Sequence, residues 1–135
     1  MRASILIAVL GLYAIGVSGE LGTGQSCSSS STFVVTDFTV DPYPPTSGVQ
    51  MSVNMYGTFS KEMYVSDISI RTRFNGGSWS YKYIDIGQTF NYGQIYTFSF
   101  PLTAGTTKGL YENQVGLETK QGSSFSCWDF TYHIY

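Results

Sequence analysis

From Phe33 onward the chain alternates between apolar and polar residues with a period of two. Along the run from 49 to 59, Val49, Met51, Val53, Met55, Gly57 and Phe59 fall on one side. Gln50, Ser52, Asn54, Tyr56 and Thr58 fall on the other. Alternation over this length predicts a strand with one face in a core and one in water. Further on, Ile68, Ile70, Thr72 and Phe74 oppose Asp67, Ser69, Arg71 and Arg73 in the same way. Asn75-Gly76-Gly77 is a turn signal between two such runs and predicts a hairpin, with Trp79 to Ile86 as the returning strand. Phe33 to Val40, Ile95 to Leu102, Leu110 to Thr119 and Phe125 to Tyr135 supply the other strands, the last two joined at Lys120 to Ser123. Asp41 to Gly48 holds three prolines, which cannot donate to a ladder, so it reads as a stiff connection. The pattern predicts about seven short strands with no helix beyond the N-terminal region. That is an all-β fold, an antiparallel sandwich of immunoglobulin-like type.

The N-terminus breaks the pattern. Arg2 is followed by a continuous apolar run from Ile5 to Val17, and then by Ser18 and Gly19. The run is about 13 residues long, too short for a hydrocarbon layer of about 30 Å. It has the form of a secretory signal peptide over residues 1–19, the alternative being an uncleaved membrane anchor. Residues 20–32 are rich in Gly and Ser and lack a period, which predicts a flexible leader anchored only at Cys27. Residues 33–135 then form the sandwich domain.

Composition agrees with this division. Aromatic residues make up 16% of the chain and charged residues only 12%, a balance suited to half-buried pleated surfaces. Without Arg2, six basic residues face nine acidic ones, a net charge of −3, which excludes a nucleic-acid-binding surface. Two cysteines, Cys27 and Cys127, remain. In an oxidising compartment an even count is normally paired, and two cysteines allow one intramolecular bridge. It would close a loop of roughly 100 residues and stabilise by about 4–5 kcal/mol on the chain-entropy model. The alternative is two free buried thiols.

Candidate chemistry is sparse. The single histidine, His133, lies two residues from the end, and no G-x-S-x-G elbow accompanies it. It reads as a surface or edge residue. Asp85 and Asp129 could form a carboxylate pair only if the fold brought them together, and Asp85 reads as a turn or ladder partner. One His and two Cys in an oxidising compartment do not make a zinc site. The expectation is a protein without catalytic residues, metal or cofactor. Arg71, Arg73 and Lys82 are either solvated sheet charges or contacts for lipid phosphates or a membrane surface. No N-x-S/T acceptor is present.

The order of several short motifs resembles a known family. Phe38-Thr-Val-Asp-Pro-Tyr-Pro-Pro-Thr-Ser-Gly48 followed by Met51-Ser-Val-Asn-Met-Tyr-Gly57 resembles the opening of the ML lipid-recognition domain. Tyr83-Ile-Asp-Ile86, Gly109-Leu-Tyr111 with Val115 and Leu117, and Gly122-Ser-Ser-Phe-Ser-Cys-Trp128 look like that family's later motifs. The pattern is nearest to the phosphatidylglycerol/phosphatidylinositol transfer and sterol-carrier branches. The likeness covers nearly all of residues 27–135. It implies a two-sheet sandwich that holds a lipid between its sheets, with Cys127 paired to the N-terminal Cys27. The family often carries a further cysteine just after the Ile-Asp-aliphatic motif and another a few residues on. This chain has Gly87 at the first place and no cysteine at the second.

On this resemblance, the expected function is a secreted or lumenal carrier in the extracellular space or the endolysosomal or vacuolar lumen. It would hold a sterol, phospholipid or fatty acid for transfer or presentation. The expected cavity wall is Val53, Met55, Ile68, Ile70, Phe98, Phe100, Val115 and Leu117. Tyr81, Tyr83 and Tyr111, apolar rings with a polar tip, are expected at the rim. Met55 adds adaptability towards different apolar guests. Periodicity alone favours an ordinary packed core, because a core and a lipid pocket use the same residue types, and only the family resemblance reverses that preference. The expected partners are a lipid and a membrane surface or protein. The alternative function is a structural or adhesive sandwich that binds a protein partner.

Overall fold

The computed structural model of the protein describes residues 22–28 and 32–135. The expected signal peptide lies outside the described residues. Among the described residues eight strands follow in order: β1 (Gln25–Ser26), β2 (Phe33–Asp41), β3 (Gln50–Phe59), β4 (Met63–Phe74), β5 (Ser80–Phe90), β6 (Ile95–Thr103), β7 (Gly109–Glu118) and β8 (Ser124–Ile134). They form two antiparallel sheets, a five-stranded one in the order β1-β8-β7-β4-β5 and a three-stranded one in the order β2-β3-β6. This is the expected immunoglobulin-like sandwich. The strand beyond the expected seven is β1, too short to show a period.

The alternation sets the faces, and the register carries them across the sheets. In the small sheet Val53 stands between Val40 and Phe100, and Met55 between Phe38 and Phe98. In the large sheet Ile68 stands between Ile84 and Leu117, and Ile70 between Lys82 and Val115. The two apolar faces meet in one continuous buried cluster. The hairpin after β4 turns on Asn75 (φ 50°) and Gly76 (φ 73°), the left-handed conformations that a tight two-residue turn requires. Gly57 has a different reason. A Cβ there would come within 2.6 Å of Phe33 Cζ, so its bare backbone makes room for that ring.

The described part of the leader, residues 22–28, is held at more points than the expected single anchor at Cys27. β1 pairs with β8, and the Cys27–Cys127 disulfide joins the same two segments with Cα atoms 5.1 Å apart. Trp128 Nε1 donates to Thr23 O at 2.7 Å, and Thr23 N donates across to Phe38 O of β2 at 2.8 Å. One side of the sandwich is therefore stitched from sheet to sheet. On the opposite side the wider sheet ends in β5, which is exposed over most of its length.

Candidate functional site

The inner faces of the sheets bring all eight expected wall residues together. Val53, Met55, Ile68, Ile70, Phe98, Val115 and Leu117 are at most 1% exposed, and Phe100 is 5% exposed. They pack as core. Towards the β5–β6 connection the interior is filled by aromatic rings. Phe59 stacks on Phe90 with centroids 4.6 Å apart, and Phe90 meets Tyr96 at 4.7 Å. At the other end Tyr111 stacks on Tyr132 at 5.0 Å. The Tyr111 hydroxyl donates to Thr107 O at 2.8 Å and accepts from Thr107 N at 3.1 Å, while the Tyr132 hydroxyl accepts from Gly105 N at 2.9 Å. Burial raises the Tyr132 hydroxyl above the ordinary tyrosine range. Tyr111 is thus a buried end-piece of the interior, with its polar tip tied to a loop.

Tyr81 and Tyr83 are elsewhere. Because Ile70 faces Lys82, the inner side of β5 carries Ser80, Lys82 and Ile84, and its odd-numbered neighbours point out. Tyr81 and Tyr83 lie on the outer face, 56% and 54% exposed, opposite Arg71 and Ser69. They do not rim the interior. The same register separates the three cations, placing Arg71 and Arg73 outside and Lys82 inside. Lys82 is exposed, while Ile84 and Ile86 beside it are half-buried against the core.

The outer face of the large sheet carries the charged network. Arg71 Nε donates to Gln114 Oε1 at 2.7 Å, and Gln114 Nε2 donates to Asp129 Oδ2 at 3.0 Å. Arg73 pairs with Glu112 at 2.8 Å. Both guanidinium groups sit over the Trp79 ring, at 4.8 and 4.5 Å. Burial and a hydrogen bond with Glu112 raise the Asp129 carboxyl to about 6, and that same bond, ahead of Arg73, lowers Glu112. Below about pH 6 the proton of that bond sits on Asp129. Asp85 stands opposite Asp67 in another row, so Asp85 and Asp129 are not a pair. Burial, followed by Asp67, raises Glu118. His133 is exposed and stacks on Tyr135 at 4.4 Å. A cleft of about 150 Å³ on this outer face is lined by Ser69, Arg71, Tyr81, Gln114 and Cys127 among others, and is separate from the interior.

An inner polar residue, Asn113, was not among the expected site residues. Asn113 is 1% exposed between Tyr111 and Val115 on β7, and its Oδ1 accepts from Thr72 Oγ1 at 2.8 Å. The signal was present in the sequence, since the alternation of Tyr111, Val115 and Leu117 puts Asn113 on the same side.

The sequence matches no protein-family model and no curated protein. Solved structures share the fold. A Niemann-Pick type C2 protein from Japanese carpenter ant superposes with a TM-score of 0.60 at 11% identity, covering 83% of this chain and 98% of that one. Chicken MD-1, complexed with lipid IVa, gives 0.56 at 14% identity over 82% of this chain and 87% of that one. The C-terminal domain of wzt gives 0.63 at 13% identity over 78% and 75%.

Proposed function

We propose that this chain, which has the fold of the ML lipid-recognition domains, binds a lipid noncovalently between its two sheets and carries or presents it. The observation behind this reading is the pair of largely apolar inner faces, stitched together along one side and left with an exposed edge strand on the other. Val53, Met55, Phe98 and Phe100 of the small sheet face Ile68, Ile70, Val115 and Leu117 of the large one across the interior. A guest would enter past Ile84 and Ile86 and displace side chains that fill the interior at rest. Chicken MD-1, of the same fold, is complexed with lipid IVa, which supports a lipid as the guest here. The guest class is sterol, phospholipid or fatty acid, and the role is binding rather than catalysis. The Cys27–Cys127 bridge supports residence in an oxidising space, secreted or lumenal.

Organic extraction of protein purified from a secreting host, followed by lipid identification, tests the reading. The expected result is a co-purifying lipid, with native mass spectrometry giving one guest per chain. Protein that carries no lipid and takes up none of any class overturns it. A second reading, adhesion to a protein partner, rests on the exposed Tyr81 and Tyr83 of the outer face. It predicts lipid-free protein whose partner binding is lost on changing those two tyrosines.

A further inference from the structure

One row of the inner wall is polar. Ser80 on β5 stands opposite Thr72 on β4, Thr72 opposite Asn113 on β7, and Asn113 opposite Phe130 on β8. Residues directly opposed in antiparallel strands share a face, so this row runs inward from the free edge on the same face as Ile70 and Val115. Exposure falls along it. Ser80 is exposed, Thr72 half-buried and Asn113 only 1% exposed. Strands lie about 4.8 Å apart, which places Asn113 about 10 Å inside the edge. Its Oδ1 is engaged by Thr72, but its Nδ2 is buried with no partner among the described residues. Buried donors in native proteins nearly always have an acceptor, and one left without is costly.

We infer that Asn113 is a polar anchor for the guest, and that the guest is an acyl lipid whose carbonyl or carboxyl oxygen accepts a hydrogen bond from Asn113 Nδ2. This rests on the lipid-binding reading above and specifies the ligand class for it. With Oδ1 occupied, what the site offers is a donor. An oxygen that only accepts is satisfied by that one bond. A sterol hydroxyl brings a proton of its own, for which Ile70, Val115 and Phe130 supply no side-chain acceptor, so it would have to share the Asn113 Oδ1 that Thr72 already engages. The row Ser80–Thr72–Asn113 gives the polar end of an acyl lipid a path from the edge inward, while its hydrocarbon lies along the neighbouring aliphatic rows.

The test compares dipalmitoyl phosphatidylglycerol with its dihexadecyl ether counterpart, which lacks the carbonyl oxygens, and with palmitic acid. Each competes against a fluorescent acyl lipid on the full folded chain. Wild-type protein should bind the ester about tenfold more tightly than the ether, the ratio that one lost hydrogen bond of ordinary strength produces. Asn113→Leu, folded by circular dichroism, should bind the two alike. If only palmitic acid binds, and its affinity falls in Asn113→Leu, the free acid is the source of the oxygen and the inference stands. Equal wild-type affinities for ester and ether, with no such loss for palmitic acid, overturn it. So does a preference that survives in Asn113→Leu. Wild-type protein that binds none of the three lipids but takes up a sterol overturns the anchor while leaving the lipid-binding reading intact. Failure with every lipid class overturns both. Should the variant not fold, the Asn113 side-chain amide resonance of wild-type protein decides. It should move on loading with an acyl lipid, and an unmoved resonance rejects the anchor.

Discussion

Gly57 shows how a single missing methyl shapes the interior. A Cβ at this position would lie 2.5 Å from Val34 O and 2.6 Å from Phe33 Cζ, so β2 or the Phe33 ring must shift. Gly57→Ala should cost about 1–3 kcal/mol, the usual range for overpacking, measured by urea denaturation. Met55 is the converse case. It is fully enclosed, so Met55→Ala should cost about 2–5 kcal/mol, while Met55→Glu should abolish the circular dichroism signature of the folded state. On the outer face, Asp129 titrates near 6 when folded and near the ordinary carboxylate value when unfolded. Between about pH 4 and 6 the native state therefore holds the extra proton. That contribution to stability is present below the unfolded value and is lost as pH rises through about 6. Glu112, lowered on folding, has the opposite sign, its contribution fading as pH falls. Asp129→Asn removes the loss on the rising side. Its melting temperature relative to wild type should climb from pH 4 to pH 7, and a difference that stays constant with pH would refute the assignment.

Among the elements, the disulfide and β1 act together. Cys127→Ser should lower stability by about 2–5 kcal/mol, and native protein should show no alkylatable thiol without reduction. The strands were legible from residue order because alternation is a local property. Val53, Met55, Ile68 and Ile70 fall on the inner side by period two alone, and Asn75-Gly76 announces its own turn. What alternation does not contain is register. Whether Tyr81 or Lys82 faces inward depends on which residue of β4 each opposes, and that is settled by the hairpin turn between the two strands. Aromatic character alone therefore put Tyr81 and Tyr83 on the wrong face. β1 was illegible for another reason. Two residues have no period, and Gln25 and Ser26 are extended because β8 offers them a ladder. Asn113 could be read as inward, but nothing local tells that its amide lacks a partner.

At the scale of the whole molecule, the two sheets are unequal, five strands against three among the described residues, and among these residues only one side is stitched across. A guest that binds the folded state alone stabilises it by mass action, by about 2.7 kcal/mol at a hundredfold excess over its Kd. The melting temperature should therefore rise with added acyl lipid. The inequality of the sheets has another consequence. β5 ends the large sheet with eleven residues whose outer row of backbone groups has no neighbouring strand among the described residues. Such an edge is a template on which a second molecule can add its own strand, the first step of aggregation. Two features blunt it. Lys82 puts a charge on the inward side of the strand, where a docked copy would have to bury it. Gly87, at φ 60°, breaks the regular extension further along. Lys82→Val should leave the monomer's fold unchanged yet make it associate as its concentration rises, which sedimentation velocity would detect. The one positive charge on the inner side of this edge would then be what keeps the molecules apart.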